Sequence, residues 1–231
     1  MGNIAIITAR GGSKRIPKKN IKEFCGKPII AYSIKAALDS GAFDEVMVST
    51  DSEEIADIAR EYGAAVPFLR SEATANDFAT TADVLKEVID EYKKIGKEFD
   101  NMCCIYPTAP FVTGEKLVVA MNLLSESGAD TVMPVVAFSF PPQRGMVIND
   151  GKLEYKYPEF ALCRSQDLEK MYHDPGQFYC VNVNKFLASG KLVMENTMPF
   201  VIDEMEVQDI DNMSDWEIAE IKYQAMLSKN Q

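Results

Sequence analysis

A chain of 231 residues, 47% of them hydrophobic, is long enough to build a substantial core as one domain spanning residues 1–231. Its formal net charge of −11 argues against an extended basic face and therefore against nucleic-acid binding. The apolar runs are too short to cross a membrane, and the five cysteines show neither zinc nor disulfide spacing. We therefore expect a cytoplasmic protein with reduced thiols and no membrane partner.

Strand and helix signals alternate along most of the chain. Strands are predicted at residues 3–8, 45–50, 64–69, 101–106, 130–136, 177–183 and 200–202. Helices are predicted at residues 28–40, 51–62, 80–94 and 114–126 and from residue 214 onward, with capping boxes formed by Asp51 with Glu54 and by Ser214 with Glu217. This alternation predicts an α/β fold with a mainly parallel, doubly wound sheet, in which ligands bind beyond the carboxyl ends of the strands.

The alternation breaks between residues 137 and 177. This stretch has no helical period before residues 165–172, and it contains several prolines and the aromatic residues Phe138, Phe140, Tyr155, Tyr157 and Phe160. We interpret it as an insertion, a hairpin followed by a short helix, that leaves the main domain to contact another subunit. A long surface loop is the alternative interpretation.

A basic, glycine-rich loop directly follows the first predicted strand. Six of the 24 lysines and arginines lie between residues 10 and 22, and no acidic residue precedes Glu23: Arg10, Lys14, Arg15, Lys18, Lys19 and Lys22. Gly11 and Gly12 let backbone N–H groups approach an oxygen-rich ligand, and the cations can bind phosphate. The loop matches neither the P-loop nor the dinucleotide fingerprint. It indicates a small polyanion, above all the phosphates of a nucleotide; the alternative is a solvated loop that caps the sheet.

Two carboxylates, Asp209 and Asp211, precede the last predicted helix. Residues i and i+2 of an extended segment point the same way, so the pair can face one hard cation such as Mg²⁺, which proteins hold with one or two carboxylates and substrate phosphates. Alone the pair is a weak signal, because Asp is common in loops; its weight comes from the basic loop elsewhere in the chain. The single histidine, His173, is either structural or substrate-facing.

These motifs resemble those of the acylneuraminate cytidylyltransferases, the CMP-sialic acid synthetases. The resemblance rests on Ala9-Arg-Gly-Gly-Ser-Lys14, Pro17-x-Lys19-Asn20, Ser49-Thr-Asp51, Pro107-Thr-x-Pro110 and Asp209-Ile-Asp211, which occur in the family's order and spacing. Within the family, the segments resembling the pseudaminic acid branch are Tyr106-Pro-Thr-Ala-Pro-Phe111, Phe138-Ser-Phe-Pro141, Arg164-Ser-Gln-Asp-Leu168 and Tyr172-His-Asp-x-Gly-Gln-Phe-Tyr179.

The resemblance implies that CTP and a nonulosonic acid, most closely pseudaminic acid, give a CMP-sugar and pyrophosphate. It implies CTP contacts from Ala9, Arg10, Gly11, Ser13, Lys14, Lys19, Asn20, Arg70, Asp77 and Thr81, and catalytic roles for Arg10, Lys19, Asp209 and Asp211, the two carboxylates binding Mg²⁺. The sugar site would comprise Tyr106, Phe111, Arg164, His173, Gln177 and Tyr179, with Arg164 and Gln177 on the sugar carboxylate. Residues 138–178 would form a dimerisation segment, giving a homodimer.

Departures from the sialic acid pattern favour pseudaminic acid over N-acetylneuraminic acid. Tyr106 replaces a glutamine, Phe111-Val112 replaces Leu-Arg, and His173 aligns with an arginine of the sugar loop. Legionaminic acid, N-acetylneuraminic acid and Kdo remain alternative substrates. A glycosyltransferase, which also pairs a nucleotide-sugar fold with two aspartates, and a nucleotide-sensing subunit without turnover are the rival functions.

Overall fold

A seven-stranded sheet runs through the centre of the structure, a computed structural model that describes residues 2–229. The strands are β1 (Gly2–Thr8), β2 (Glu23–Phe24), β3 (Lys27–Pro28), β4 (Glu45–Ser49), β5 (Phe99–Ile105), β6 (Thr131–Ala137), β7 (Met146–Asn149), β8 (Lys152–Tyr155), β9 (Tyr172–His173), β10 (Phe178–Asn182) and β11 (Thr197–Val201). The helices are α1 (Ile30–Ser40), α2 (Glu53–Glu61), α3 (Glu72–Ala75), α4 (Thr81–Lys94), α5 (Gly114–Ser127), α6 (Val183–Ser189) and α7 (Met213–Lys229). Residues 1, 230 and 231 of the predicted domain lie outside the described chain.

The strand order of the central sheet is β11-β6-β10-β5-β1-β4, with β9 also paired to β6. The pairs of β1 with β4, β1 with β5 and β6 with β11 are parallel, so the predicted mainly parallel sheet is confirmed. Strand β10 is antiparallel to both of its neighbours. The inserted segment explains this reversal, because it leaves β6 at its carboxyl end and returns along the same end through β9. The next strand must therefore run back across the sheet.

Apolar side chains cover both faces of the sheet, which is why its strands are nearly continuous hydrophobic runs. On one face Ile7 and Ile105 pack with residues of α1, α2 and α5, including Ile34. On the other face Ile6 packs with α4 and α6 residues such as Leu85. Helices on both faces of a mainly parallel sheet are the predicted doubly wound arrangement.

A third apolar cluster joins the basic loop to the last helix. Ile16 of the loop and Phe24 of β2 are buried with Phe111 and with Trp216 of α7. The rings of Phe24 and Trp216 meet edge to face, with centroids 5.6 Å apart. This cluster brings the amino-terminal loop beside the segment that precedes α7, so the cations and the two predicted metal carboxylates become neighbours in space.

Two predicted capping boxes are wrong. Asp51 does not cap α2, which Ser52 precedes without a side-chain cap; its carboxylate accepts a hydrogen bond from the Gly11 N–H instead. At α7 the reciprocal bonds join Asn212 and Asp215, because the helix begins earlier than predicted, at residue 213. At α2 a contact with the basic loop takes the Asp51 carboxylate, and at α7 a neighbouring Asn-Asp pair forms the reciprocal bonds in place of Ser214 and Glu217.

The predicted strand at residues 64–69 is absent from the described sheet. Ala65 makes one isolated bridge to Met47 of β4, and Pro67, two residues later, has no N–H to continue the ladder. The predicted helix at residues 165–172 is also wrong: a short 3-10 turn over Ser165–Asp167 is followed by β9. Short α3 and α6 were not predicted.

The inserted segment forms the predicted hairpin, β7 paired with β8. Its surface is unusually apolar, with exposed side chains at Phe138, Phe140, Met146, Ile148, Leu153, Tyr157, Leu162, Met171 and Tyr172. Large exposed apolar patches commonly mark protein contacts. Among the helices that the structure describes, none is long and apolar enough to cross a membrane.

Candidate active site

A cavity of about 600 Å³ opens at the carboxyl ends of β1 and β5, the edge where the fold predicts ligand binding. Thr8 ends β1 and Tyr106 directly follows β5, and both line the cavity. The other lining residues are Arg10, Ser13, Lys14, Arg15, Lys19, Asn20, Arg70, Thr74, Asn76, Asp77, Ala79, Thr81, Val84, Pro107, Thr108 and Asp211. Eight of the ten predicted CTP contacts therefore line one cavity. Their role in binding CTP stays a prediction.

The backbone of the basic loop is fixed from both sides. Ala9 is buried and donates its N–H to the Ser49 carbonyl at 2.9 Å. The Gly11 N–H donates to Asp51 Oδ1 at 2.8 Å, and a Cβ at Gly11 would lie only 3.2 Å from the Ser52 Cβ, so glycine permits this close approach. Buried Asn20 donates from Nδ2 to the Arg10 carbonyl at 2.8 Å. Asn20 therefore braces the loop as well as lining the cavity.

Asp77 sits among the cations that we expect to bind phosphate. Arg10 Nη1 lies 2.6 Å from Asp77 Oδ1, and Lys14 Nζ lies 2.5 Å from Asp77 Oδ2. These two hydrogen bonds, first from Lys14 and then from Arg10, hold the pKa of the Asp77 carboxyl below its usual value. Arg10 and Lys14 are thus already arranged around two anionic oxygens. A phosphate group would take the place of the Asp77 carboxylate between them.

Lys19 links the basic loop to the two carboxylates. Its half-buried ammonium donates to the Ile210 carbonyl at 2.6 Å, between Asp209 and Asp211 in sequence. Burial lowers the pKa of Lys19, and the charges of Asp211 and Asp209 oppose that shift. The Lys19 cation is therefore anchored between the first cavity and the carboxylate pair.

The carboxylate pair fits a divalent cation. Burial raises the pKa of Asp209 and the nearby charge of Asp211 raises it further, so the two carboxylates repel each other. The Arg15 guanidinium forms an ion pair with one member of this pair, Asp211, with Nη2 2.7 Å from Oδ1. Within residues 2–229 no group of three or more His, Cys, Asp or Glu side chains could hold a metal. The remaining ligands of Mg²⁺ would be phosphate oxygens and water, as is usual for this ion.

Arg70 and Thr81, two of the predicted CTP contacts, are positioned by β4 and α4. Arg70 is anchored to the end of β4, with Nη2 donating to the Ser49 carbonyl at 2.8 Å. Thr81, the first residue of α4, has its hydroxyl 3.5 Å from the Tyr106 hydroxyl. Thr74 and Asn76, in and directly after α3, also line the cavity and were missed, because α3 is too short to leave a periodic signal. Arg15 lines the cavity as well; it was predicted only as one of the cations of the basic loop.

A second cavity of about 230 Å³ borders Asp209. Its lining residues are Val136, Ala137, Phe138, Ser139, His173, Glu204, Val207, Gln208, Asp209 and Lys222. Asp211 lines the first cavity and Asp209 the second, so the carboxylate pair contributes one side chain to each. His173 lies on the second cavity, its ring 4.7 Å from that of Phe138 and its Nδ1 3.1 Å from the Asp174 carbonyl.

Four of the predicted sugar contacts lie elsewhere. Phe111 is fully buried with Trp216 in the third apolar cluster, so its prediction as a pocket wall is wrong. Gln177 is buried and donates from Nε2 to the Glu206 carbonyl at 2.7 Å. Tyr179 is buried against Tyr106, and its hydroxyl donates to Asp174 Oδ2 at 2.5 Å. Neither of these two lines either cavity.

Arg164 lies on the inserted segment. Its guanidinium makes two hydrogen bonds to Asp167, at 2.6 and 2.9 Å, and lines neither cavity of its own chain. The predicted sugar residues therefore separate into two that reach a cavity, Tyr106 and His173, and four that do not. The apolar or amide character of a residue beside a site motif does not reveal whether it faces the pocket or the core.

An α/β sheet with a cation-rich loop beside a carboxylate pair is typical of enzymes of nucleotide chemistry. The sequence model described as Cytidylyltransferase matches residues 4–188, and the chain belongs to this family. It is therefore a CTP-dependent nucleotidyltransferase, and the resemblance drawn from the motifs is confirmed.

Two proteins of known name are similar to this chain in sequence, and one solved structure is similar to it in fold. The pseudaminic acid cytidylyltransferase of Campylobacter jejuni subsp. jejuni serotype O:2 is 39% identical over 96% of this chain and 97% of its own. The CMP-N,N'-diacetyllegionaminic acid synthase of Legionella pneumophila is 37% identical over 94% of each chain. The structure of CMP:2-keto-3-deoxy-manno-octonic acid synthetase complexed with CTP superposes with a TM-score of 0.70 at 16% identity, covering 100% of both chains, which shows a shared fold.

Proposed function

We propose that this enzyme transfers CMP from CTP to the anomeric hydroxyl of pseudaminic acid and releases pyrophosphate. The observation that carries the proposal is that the carboxylate pair borders two cavities. Asp211 lines the cavity that contains the cations, and Asp209 lines the cavity that contains His173 and Phe138. The 39% identity to a pseudaminic acid cytidylyltransferase over nearly the whole chain supports the choice of sugar.

In this proposal the basic loop binds the triphosphate. The β- and γ-phosphates displace Asp77 from Arg10 and Lys14, and Lys19 holds the phosphates beside the carboxylate pair. The sugar's anomeric oxygen forms a bond to the α-phosphorus as the bond from that phosphorus to the bridging oxygen breaks. The hydroxyl proton passes to water, and pyrophosphate leaves with the electron pair of the broken bond. The fixed cations offset the charge that develops on the leaving group.

Asp209 and Asp211 would hold Mg²⁺, which polarises phosphate oxygens and lowers the barrier to attack when bound. Arg15, now 2.7 Å from Asp211, would then be free to turn toward the phosphates. The enzyme works in the cytoplasm in this proposal, and the free state of all five cysteines in the described chain agrees with a reducing compartment.

The second cavity accounts for sugar choice. Its wall combines apolar Val136 and Phe138 with His173. Pseudaminic acid has a 9-deoxy end and a second acylamino group, so it is less polar there than N-acetylneuraminic acid. A wall built for one set of polar groups discriminates strongly, because the wrong sugar leaves buried groups unpaired.

The sugar is tested by measuring pyrophosphate release with CTP and a panel of keto-sugar acids. We expect kcat/KM for pseudaminate to exceed that for N-acetylneuraminate by about 10²-fold or more. Equal values, or a preference for legionaminate, the substrate class named for the Legionella relative, would overturn the choice of sugar and leave the transfer of CMP standing.

We further propose that the enzyme is a homodimer whose subunits meet through the inserted segment. Leu162 is 99% exposed and Ile148 75% exposed on this segment. Replacing both with serine should give a monomer in sedimentation experiments and lower activity, whereas Ile221→Ser, at a 68% exposed position on α7, should leave the dimer intact. A fully active monomeric parent enzyme would contradict the proposal.

A further inference from the structure

The second cavity holds an electrostatic problem that its occupant must solve. Two carboxylates, Glu204 and Asp209, line it. A sugar acid brings a third negative charge, because a carboxylate is attached to its anomeric carbon. Such an anion binds next to two others only if a cation faces it.

The two residues predicted to bind the sugar carboxylate, one cation and one amide, do not line this cavity. The Arg164 guanidinium is already bonded to both oxygens of Asp167 on the inserted segment. The Gln177 amide is buried and its Nε2 donates to the Glu206 carbonyl. Among the described residues that line the second cavity, the only lysine or arginine is Lys222.

Lys222 is held in place by the segment that leads to Asp209. It belongs to α7, and its half-buried Nζ donates to the Val207 carbonyl at 2.7 Å and to the Glu204 carbonyl at 3.2 Å. An ammonium group has three N–H donors, so one donor remains for a ligand in the cavity. The two carbonyl groups fix the position of the Lys222 ammonium group and, being uncharged, do not neutralise it.

The position of Lys222 matches the chemistry of the substrate. The attacking hydroxyl and the carboxylate of a keto-sugar acid share one carbon atom, so their binding partners must be adjacent. Lys222 and Asp209 line the same cavity, and Asp209 belongs to the pair that faces the triphosphate. We propose that Lys222 binds the α-carboxylate of the sugar acid and thereby orients the anomeric hydroxyl toward CTP. This inference rests on the proposed function.

The test compares pseudaminate with the amide of its carboxyl group in the wild-type enzyme and in Lys222→Gln. In the wild type the amide should raise the KM for the sugar about 10- to 100-fold, the range for one charge-assisted hydrogen bond. In Lys222→Gln the acid should show this same increase, and the amide should add nothing further. The KM for CTP should not change in the variant.

Two further variants separate binding from a structural role. Lys222→Met keeps the aliphatic stem and should reproduce the loss, while Lys185→Gln, a surface lysine beside Asp130, should behave as wild type. A full amide penalty that persists in Lys222→Gln, or equal rises in the KM of CTP and sugar, would overturn the proposal and leave Lys222 as a brace for residues 204–207. A wild-type enzyme that turns over neither pseudaminate nor any other keto-sugar acid of the panel would overturn the proposed function and this inference together.

Discussion

Asp211→Asn is expected to lower kcat by on the order of 10³, the scale for removing a charge that stabilises a transition state through a metal ion. The substitution keeps the size of the side chain and removes the negative charge that faces the first cavity. Asp209→Asn should have a similar effect, because in the proposed mechanism the two carboxylates hold one cation together. Turnover is measured by pyrophosphate release, and the binding of Mn²⁺ by the free protein, followed by electron paramagnetic resonance, reports the metal site directly.

A matched control lies on the same segment. Asp203 is exposed and accepts a hydrogen bond from the Met205 N–H, a bond that asparagine can also accept. Asp203→Asn should keep both turnover and Mn²⁺ binding. Near-normal activity of Asp211→Asn at limiting Mg²⁺ would remove the metal role from this residue.

The second large effect is expected in the basic loop. Arg10→Ala and Lys19→Ala should each lower kcat by about 10²- to 10³-fold, the range for one electrostatic stabiliser. Lys19→Ala should have the larger effect, because the same ammonium also holds the Ile210 carbonyl between the metal carboxylates. Steady-state kinetics with varied CTP checks both values.

Lys22 provides the control for this loop. Its ammonium lies over the Trp216 ring, 5.5 Å from the centroid, and the side chain does not line the described cavities. Lys22→Ala should therefore change kcat little. Equal losses in the three variants would mean that the loop acts only as a diffuse positive field, and the individual roles would be wrong.

The fold was predictable because its signals are local and repeated. Each buried strand is a short hydrophobic run and each long helix has a 3.6-residue period, so the mainly parallel sheet follows from the alternation. The errors fall where one contact decides the outcome. Asp51 suits a helix cap, but it binds the Gly11 N–H that a neighbouring segment brings to it. Nothing within the local sequence indicates that contact.

The candidate site likewise contains residues whose position could be predicted from the sequence and residues whose position could not. The cations of residues 10–19 lie on one continuous loop, so a shared site could be predicted, and four of them line one cavity: Arg10, Lys14, Arg15 and Lys19. Lys18 pairs with Glu54 instead. Phe111 could not be placed, because an apolar side chain suits both a pocket wall and the core that contains it. Lys222 was missed because a lysine on a surface helix is ordinarily solvated, and only the folded chain shows that it lines the same cavity as Asp209.

The central claim is that the sugar's anomeric oxygen attacks the α-phosphorus of CTP in the cavity between the basic loop and the carboxylate pair. Pseudaminate labelled with oxygen-18 at its anomeric hydroxyl tests this most directly, with the product examined by mass spectrometry and phosphorus NMR. The account predicts a CMP-sugar that retains the label in the bridge between the sugar and phosphorus, and unlabelled pyrophosphate. CMP formed without sugar, or a bridge that lacks the label, would contradict it.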